Sequence, residues 1–416
     1  MALTTETGTF VQQPGTGAQV VPTAGQGIAV IFSIASNLTA AGTTTAEFMH
    51  MHGFACADGT QAAICTITDT GPVARDQQTN TACIHIIESG GGTTVARATI
   101  TAIAAGSFTI NWATNDSVAR VITYHLIVGA TNAKILTKQV AASTGVANYI
   151  GAGFKPDFIH TLTMGEAGGA VSSSGSFADM GIGFASSATL EAAMSMDIST
   201  GSTHEKIQVT NASVITTDSV GGVYNRGDLD AFTADGFDIN WTVTSNQAYF
   251  YTLCIKGGGF YQVGSFNQAT STGAQAVTVT GQLPAGMIVA SSNGVASVSV
   301  ITTNARRSLG MVSGTTARSC TWAGSDTTNN NTSLSTSFVM QHITEGTPTV
   351  NASADHVSFA SDTWNITWGS ADGTARQIIF VSFGNAAPAA FDPANNTSWA
   401  MPTIGPRRQL VEVFGT

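Results

Sequence analysis

The sequence predicts an all-β protein built from three tandem antiparallel β-sandwich (jelly-roll-like) domains. Three observations carry the expectation: a repeat of about 128 residues, apolar residues alternating with a period of two, and turn residues at about every 8–12 positions.

The repeat is read from four landmarks. Segments TGAQVVPTAGQGIAVIF, TGVANYIGAGFKPDFIH and TGAQAVTVTGQLPAGMIV begin at Thr16, Thr144 and Thr272, in two equal steps. FTINW, FDINW and WNITW end at Trp112, Trp241 and Trp368, in steps that match the first within one position. Seven residues past each tryptophan stands an alanine (Ala119, Ala248, Ala375), followed by an apolar run and a glycine (Gly129, Gly257, Gly384). CIHIIESG and VMQHITEG end at Gly90 and Gly346, twice the period apart. Solenoid repeats run only about 20–50 residues, and each copy here is long enough to hold its own core. The expected domains are 1–130, 131–259 and 260–384, followed by a C-terminal extension, 385–416, that docks on a neighbouring subunit.

Within each repeat the tryptophan segment reads as a half-buried strand. Phe108, Ile110 and Trp112 share one face, as do Phe237, Ile239 and Trp241, and Trp364, Ile366 and Trp368. Phe108, Trp112, Phe237, Trp241, Trp364 and Trp368 are therefore the expected core anchors. The next segment, VITYHLIV, YFYTLCI or QIIFVSF, is apolar on both faces, which marks a central strand or one covered by another domain. Turn residues between the two (Thr114-Asn115-Asp116, Thr244-Ser245-Asn246, Ala371-Asp372-Gly373) predict that each pair forms a hairpin. SSATLEAAMSM, around Leu190, Ala193 and Met194, is the best helical candidate and equally fits a turn beside a strand.

Composition narrows the function. Charged residues make up 10% of the chain, against about 25% in ordinary soluble proteins. Fifteen basic and 25 acidic residues leave a net charge of −10, which argues against a nucleic-acid binder. The 43% hydrophobic content is too high for disorder, and no apolar run is long enough to span a membrane. So weakly charged a surface suits a component of an ordered assembly. MALTTETGTF lacks the basic and apolar segments of a secretory signal. Cys56, Cys65, Cys83, Cys254 and Cys320 show no C-x-x-C spacing, so buried free thiols are expected, with one local disulfide among the first three as the alternative.

The string GFKPDFIH, with its G-F-x-P opening, and FTADGFDINW followed by an apolar strand and Gly257-Gly258-Gly259 resemble a module of tailed-bacteriophage virion proteins, tail-associated, fibre-like or decorating. The second repeat carries the pattern most fully. The first has Gly27-Ile28 where Gly153-Phe154 stands and lacks the proline, and the third has Leu283-Pro284 nearby. The resemblance covers about residues 8–384 and implies a structural role with no catalytic residues.

Candidate chemistry is sparse. His50 and His52 would share a strand face, with His85 on a neighbouring strand as a third metal ligand; a partly exposed strand is the plainer reading. Glu166, Asp228, Asp230, Asp235 and Asp238 are the acids a glycosidase pair could draw on, Asp235 reading as a turn residue and Asp238 as pointing off the core face. No G-x-S-x-G, P-loop, Rossmann or H-E-x-x-H motif occurs. Arg226-Gly227-Asp228 spells an adhesion tripeptide and also reads as an ordinary turn. Arg306-Arg307 and Arg407-Arg408 could face an acidic neighbour or sit in solvated loops. In the extension, Arg407, Arg408, Leu410, Val411, Val413 and Phe414 are the expected assembly contacts, adding a strand to another subunit or folding back on the third repeat.

The expected function is a non-enzymatic structural component of the exterior of a tailed phage, or of a particle derived from one, located in the virion. Its expected partners are other virion proteins and further copies of itself, with a host-surface glycan as an additional candidate and no nucleic acid, membrane span or cofactor. A carbohydrate-binding adhesin, recognised by exposed Tyr224, Trp322 or Trp399, is the alternative, and a polysaccharide depolymerase the third.

Overall fold

A computed structural model of the chain describes residues 2–386 except 46–47, 69–73, 89–91, 166–171, 175–178, 199–203, 218–221, 296–299, 303, 326–330 and 345–348. Arg407, Arg408, Leu410, Val411, Val413 and Phe414 thus lie outside the described residues, as do Glu166 and Trp399. The described residues are all-β, with no helix and therefore none long and apolar enough to cross a membrane. The segment around Leu190 is strand Leu190–Ile198, because its alternate residues face two different apolar layers: Ala192, Met194 and Met196 one way, Ala193 the other.

The described residues form six antiparallel sheets. The first runs Thr4–Val11, Val121–Val128, Gly27–Ala35, Phe48–Cys56, Gln61–Thr68, Ala74–Thr79, Ser172–Ser174. The second runs Asn132–Gln139, Tyr249–Lys256, Phe158–Thr163, Met180–Ser187, Leu190–Ile198, His204–Val209, Val300–Thr302. The third runs Phe260–Asn267, Gln377–Ala386, Gln282–Ser291, Asn304–Ser313, Thr316–Ser325, Asn331–Ser335, Thr44–Thr45. Each has a four-stranded companion. These are Gly17–Pro22, Ser107–Thr114, Thr94–Ala104, Ile84–Ile87; then Gly145–Ile150, Gly236–Thr244, Val223–Thr233, Val214–Thr217; then Gly273–Thr278, Thr363–Ser370, Val350–Ala360, Phe338–Ile343.

The last strand of every seven-stranded sheet comes from another repeat. Ser172–Ser174 of the second repeat pairs with Ala74–Thr79 of the first, Val300–Thr302 of the third with His204–Val209 of the second, and Thr44–Thr45 of the first with Asn331–Ser335 of the third. The lending strands begin at Thr44, Ser172 and Val300, one repeat length apart. The exchange is cyclic: each repeat lends one strand and borrows one. The first and third repeats also meet near the limits of the described residues, Leu3 N donating to Asn385 Oδ1 at 3.0 Å and Asn385 Nδ2 to Leu3 O at 3.1 Å.

The tryptophan strand and its apolar successor do not form the expected hairpin. Ser107–Thr114 pairs with Gly17–Pro22 and Thr94–Ala104, whereas Val121–Val128 pairs with Thr4–Val11 and Gly27–Ala35 in the other sheet, and the later repeats do the same. The connection crosses between sheets because its polar residues are anchored in place. Arg120 grips Asp116 through two nitrogens and reaches Asn37 and Gln12, and Arg376 grips Asp372 at the matching place in the third repeat.

Apolar clusters lie between each seven-stranded sheet and its companion. Phe108 and Trp112, Phe237 and Trp241, and Trp364 and Trp368 sit in these layers at no more than 1% exposure. The indole N–H groups are satisfied locally: Trp112 donates to Gln19 Oε1 and Trp368 to Gln275 Oε1, while Trp241 donates to the Tyr149 hydroxyl. A fourth cluster joins all three seven-stranded sheets, with Phe54 and Ile64, Phe184 and Met194, and Leu309 and Trp322 among its members.

Three glycines at matching positions set the distance between the paired sheets. A Cβ on Gly53, Gly183 or Gly310 would stand 2.0, 1.9 or 1.7 Å from the carbonyl oxygen of Cys83, Ser213 or Val339. Gly183→Ala must therefore push the sheets apart, and we expect a loss of about 3 kcal/mol in urea unfolding; an unchanged midpoint would contradict this close contact.

Candidate functional site

Polar side chains buried where the three repeats meet form a connected cluster. Strand Phe48–Cys56 places His50 and His52 on one face, as the i, i+2 spacing requires. Neither is partly exposed: both are fully buried, because that face looks into the neighbouring repeats rather than into water. His50 stacks on Trp322 with ring centroids 3.7 Å apart, and its Nδ1 stands 2.8 Å from an Arg307 Nη1. His52 Nε2 lies 3.2 Å from His160 Nε2.

The proton positions follow from the partners. His160 Nδ1 faces the Gly183 carbonyl at 2.9 Å and must carry hydrogen, so in the neutral ring Nε2 accepts from His52 Nε2–H. Arg307 can only donate, so His50 Nδ1 accepts and the His50 proton sits on Nε2. Each seam is bridged once or more. Trp322 Nε1 donates to Met49 O at 2.6 Å between the third and first repeats, Arg307 Nη2 to Met180 O at 2.8 Å between the third and second, and the histidine pair joins the first and second.

Burial, then the Arg307 charge, hold His50 well below the usual histidine range; burial, then His160, do so for His52. Burial lowers His160 and His125 to about 3 and His85 to about 4, and Arg307 to about 9. Arg307 Nε, His50 Nε2 and His52 Nδ1 have no hydrogen-bond partner among the described residues.

Several sequence candidates are placed otherwise than expected. His85 lies in the four-stranded sheet and meets Gln77 Oε1 at 2.7 Å, away from the other two histidines, and no group of three or more His, Cys, Asp or Glu suited to a metal occurs among the described residues. Arg307 is neither a loop residue nor open to another subunit, being 1% exposed within Asn304–Ser313. Trp322 is wholly buried, so it offers no platform for a sugar, and Tyr224 stands half-buried in a strand. Arg226-Gly227-Asp228 is strand rather than turn: it lies within Val223–Thr233, where Arg226 and Asp228 pair at 3.5 Å on one face and Gly227 leaves room for Trp241. Asp235 occupies a turn and accepts from Gly153 N, while Asp238 accepts from Asn148. The five cysteines are free and buried, and burial raises Cys65 and Cys83 to about 12 and Cys320 to about 11.

The sequence reading singled out none of the buried acids Asp76, Asp179, Glu191 and Asp197. Glu191 is 5% exposed and accepts from Leu229 N at 2.7 Å, beside the register shift between Leu229 and Ala231. In the first repeat Gln61 Oε1 accepts from Ile100 N at 2.8 Å, beside the shift at Thr109/Ile110. Glu191 thus fills a glutamine's role, and burial pushes its carboxyl up to about 8, with nearby Asp228 adding to the rise. Protonated, Glu191 serves as a neutral tie between the two sheets. No family model, curated protein or solved structure matches the chain.

Two pH effects follow. Five of the buried histidines, His50, His52, His85, His125 and His160, bind protons more readily unfolded (near 6.5) than folded, so their contribution is full above pH 6.5 and falls as pH drops from there toward about 3. Urea midpoints across pH 4–7 should rise with pH; a flat profile would refute the buried neutral rings. Glu191 has the opposite sign, since its folded pKa lies above the ordinary 4.5, so its contribution is lost as pH rises toward about 8. Because that decline spans about pH 4.5 to 8, Glu191→Gln should steepen the rise between about pH 4.5 and 6.5 and remove the decline from there to about 8.

Proposed function

We propose that this protein is a non-enzymatic structural component of the exterior of a tailed phage, or of a particle derived from one, in which three β-sandwich repeats act as a covalent trimer. The cyclic strand exchange carries the reading. Joining three copies around a shared core gives one chain the cyclic architecture of a symmetric oligomer, and it repeats similar surfaces at fixed spacings. The sandwich reading of 1–130, 131–259 and 260–384 is supported by the paired seven- and four-stranded sheets with apolar residues between them. Few charges, and acids engaged in turns or cross-strand ties, favour a binding role over turnover. The phage assignment rests on the sequence resemblance at GFKPDFIH and FTADGFDINW. Low-resolution maps of particles purified from the producing cells test it. We expect three-lobed density of this chain on the particle exterior; absence of the chain from purified particles, or depolymerisation of host polysaccharide by the purified chain, would overturn it.

A further inference from the structure

We propose that the outer edge strands of the three four-stranded sheets, Gly17–Pro22, Gly145–Ile150 and Gly273–Thr278, form the surface on which a second copy of this chain docks, edge to edge. Each is hydrogen-bonded to a neighbour on one side only. The opposite edges of the same sheets are unavailable, Ile84–Ile87 and Val214–Thr217 being buried throughout and Phe338–Ile343 nearly so. Two end strands of the seven-stranded sheets, Thr4–Val11 and Asn132–Gln139, are engaged by another repeat. Thr7 N donates to Ser313 Oγ at 2.6 Å, Ile135 N donates to Thr60 Oγ1 at 3.0 Å, and the far ends receive the exchanged strands.

An exposed edge is a template for strand addition, and proteins ordinarily blunt it with charge, lysine above all, or with proline and bulges. These three lack such protection. Their sequences GAQVVP, GVANYI and GAQAVT contain no charged residue, and their pairing registers run without a bulge. The only proline, Pro22, is the last residue of its strand. Side-chain contacts to the backbone fall at the ends, Gln13 Nε2 donating to Gly17 O at 3.1 Å and Lys138 Nζ to Ile150 O at 2.6 Å. Most of the outward side chains are apolar or small, Val20, Val146 and Ile150 being 64%, 59% and 55% exposed; Asn148, which is polar, bonds to Asp238 of its own sheet. The inward residues Val21, Tyr149 and Val277 are buried in the sheet-to-sheet layers, which holds each edge rigid.

The number and placement of the edges select a copy of this chain as the occupant. They start at Gly17, Gly145 and Gly273, one repeat length apart, on repeats already bound into a cyclic arrangement. Another copy carries matching edges at matching spacing. Antiparallel pairing of identical strands is self-complementary, as an isologous contact requires. Each pairing is weak alone, and several engaged together raise the avidity. The chain already joins its own repeats by this same device of adding a strand.

Native mass spectrometry and hydrogen exchange on the full chain test the proposal. We expect multiples of the 42.5 kDa chain, with amides of the three edges exchanging more slowly as concentration rises. The triple variant Val20→Lys, Val146→Lys, Ala276→Lys should be monomeric, whereas Val357→Lys, an exposed apolar position on a central strand of its four-stranded sheet, should assemble as the parent does. A parent chain that stays monomeric, edge amides that exchange alike at all concentrations, or a triple variant that assembles normally would each overturn it. Should the lysines prevent folding, exchange in the parent protein decides alone.

Discussion

A strand that is apolar on both faces cannot be buried by one opposing sheet, and the architecture of this chain follows from that constraint. Val121–Val128 sends Ile122, Tyr124 and Leu126 into the layer against its four-stranded companion and Val121 and Ile127 into the cluster shared by all repeats. Tyr249–Lys256 divides in the same way, Phe250 and Cys254 against Tyr251, Leu253 and Ile255, and Gln377–Ala386 divides Ile378 and Phe380 against Ile379, Val381 and Phe383. Each repeat completes its own layer. Only the three together cover the second face, and the exchanged strands fasten them there.

The shared interior is not purely apolar. An arginine and three histidines taken out of water are costly unless paired, and loss of one partner leaves the others exposed to that cost. Their pairings run between repeats rather than within them: Arg307 to His50 and to Met180 O, His52 to His160, and Trp322 to Met49 O. Apolar packing is tolerant of sliding, whereas these directional contacts require one register of the three sheets. The polar cluster is thus best understood as what fixes the arrangement that the apolar cluster makes favourable.

The strand character was legible in the sequence because period-two alternation depends only on which face each residue takes. FTINW, FDINW and WNITW show it, and Trp112, Trp241 and Trp368 are buried accordingly. The two-faced run at Val121 also signalled its situation. The hairpin expectation went wrong because Asn115-Asp116 is turn chemistry whichever sheet the chain enters next; the contacts that anchor the connection, Arg120 with Asn37 and Gln12, are tertiary. Strand exchange left no local signal, since Thr44–Thr45 is two residues long. Histidines at 50 and 52 were visible, yet their partners at 160 and 307 lie far along the chain, so the same spacing fitted an exposed strand. Glu191 could have been found by aligning it with Gln61 in the first repeat.

The closed circle depends on the first and third repeats being joined through Thr45 and Thr332, which face each other in register although most of the chain lies between them. Placing a cysteine at each position and oxidising the native chain to a disulfide tests that juncture directly, because facing residues of paired strands lie within disulfide reach, whereas Thr332, like the five natural thiols, is buried from larger reagents. The expected product is a cross-link within one chain, identified by mass spectrometry of the joined peptides. Both cysteines left unlinked, or links only between different chains, would show that the circle is open.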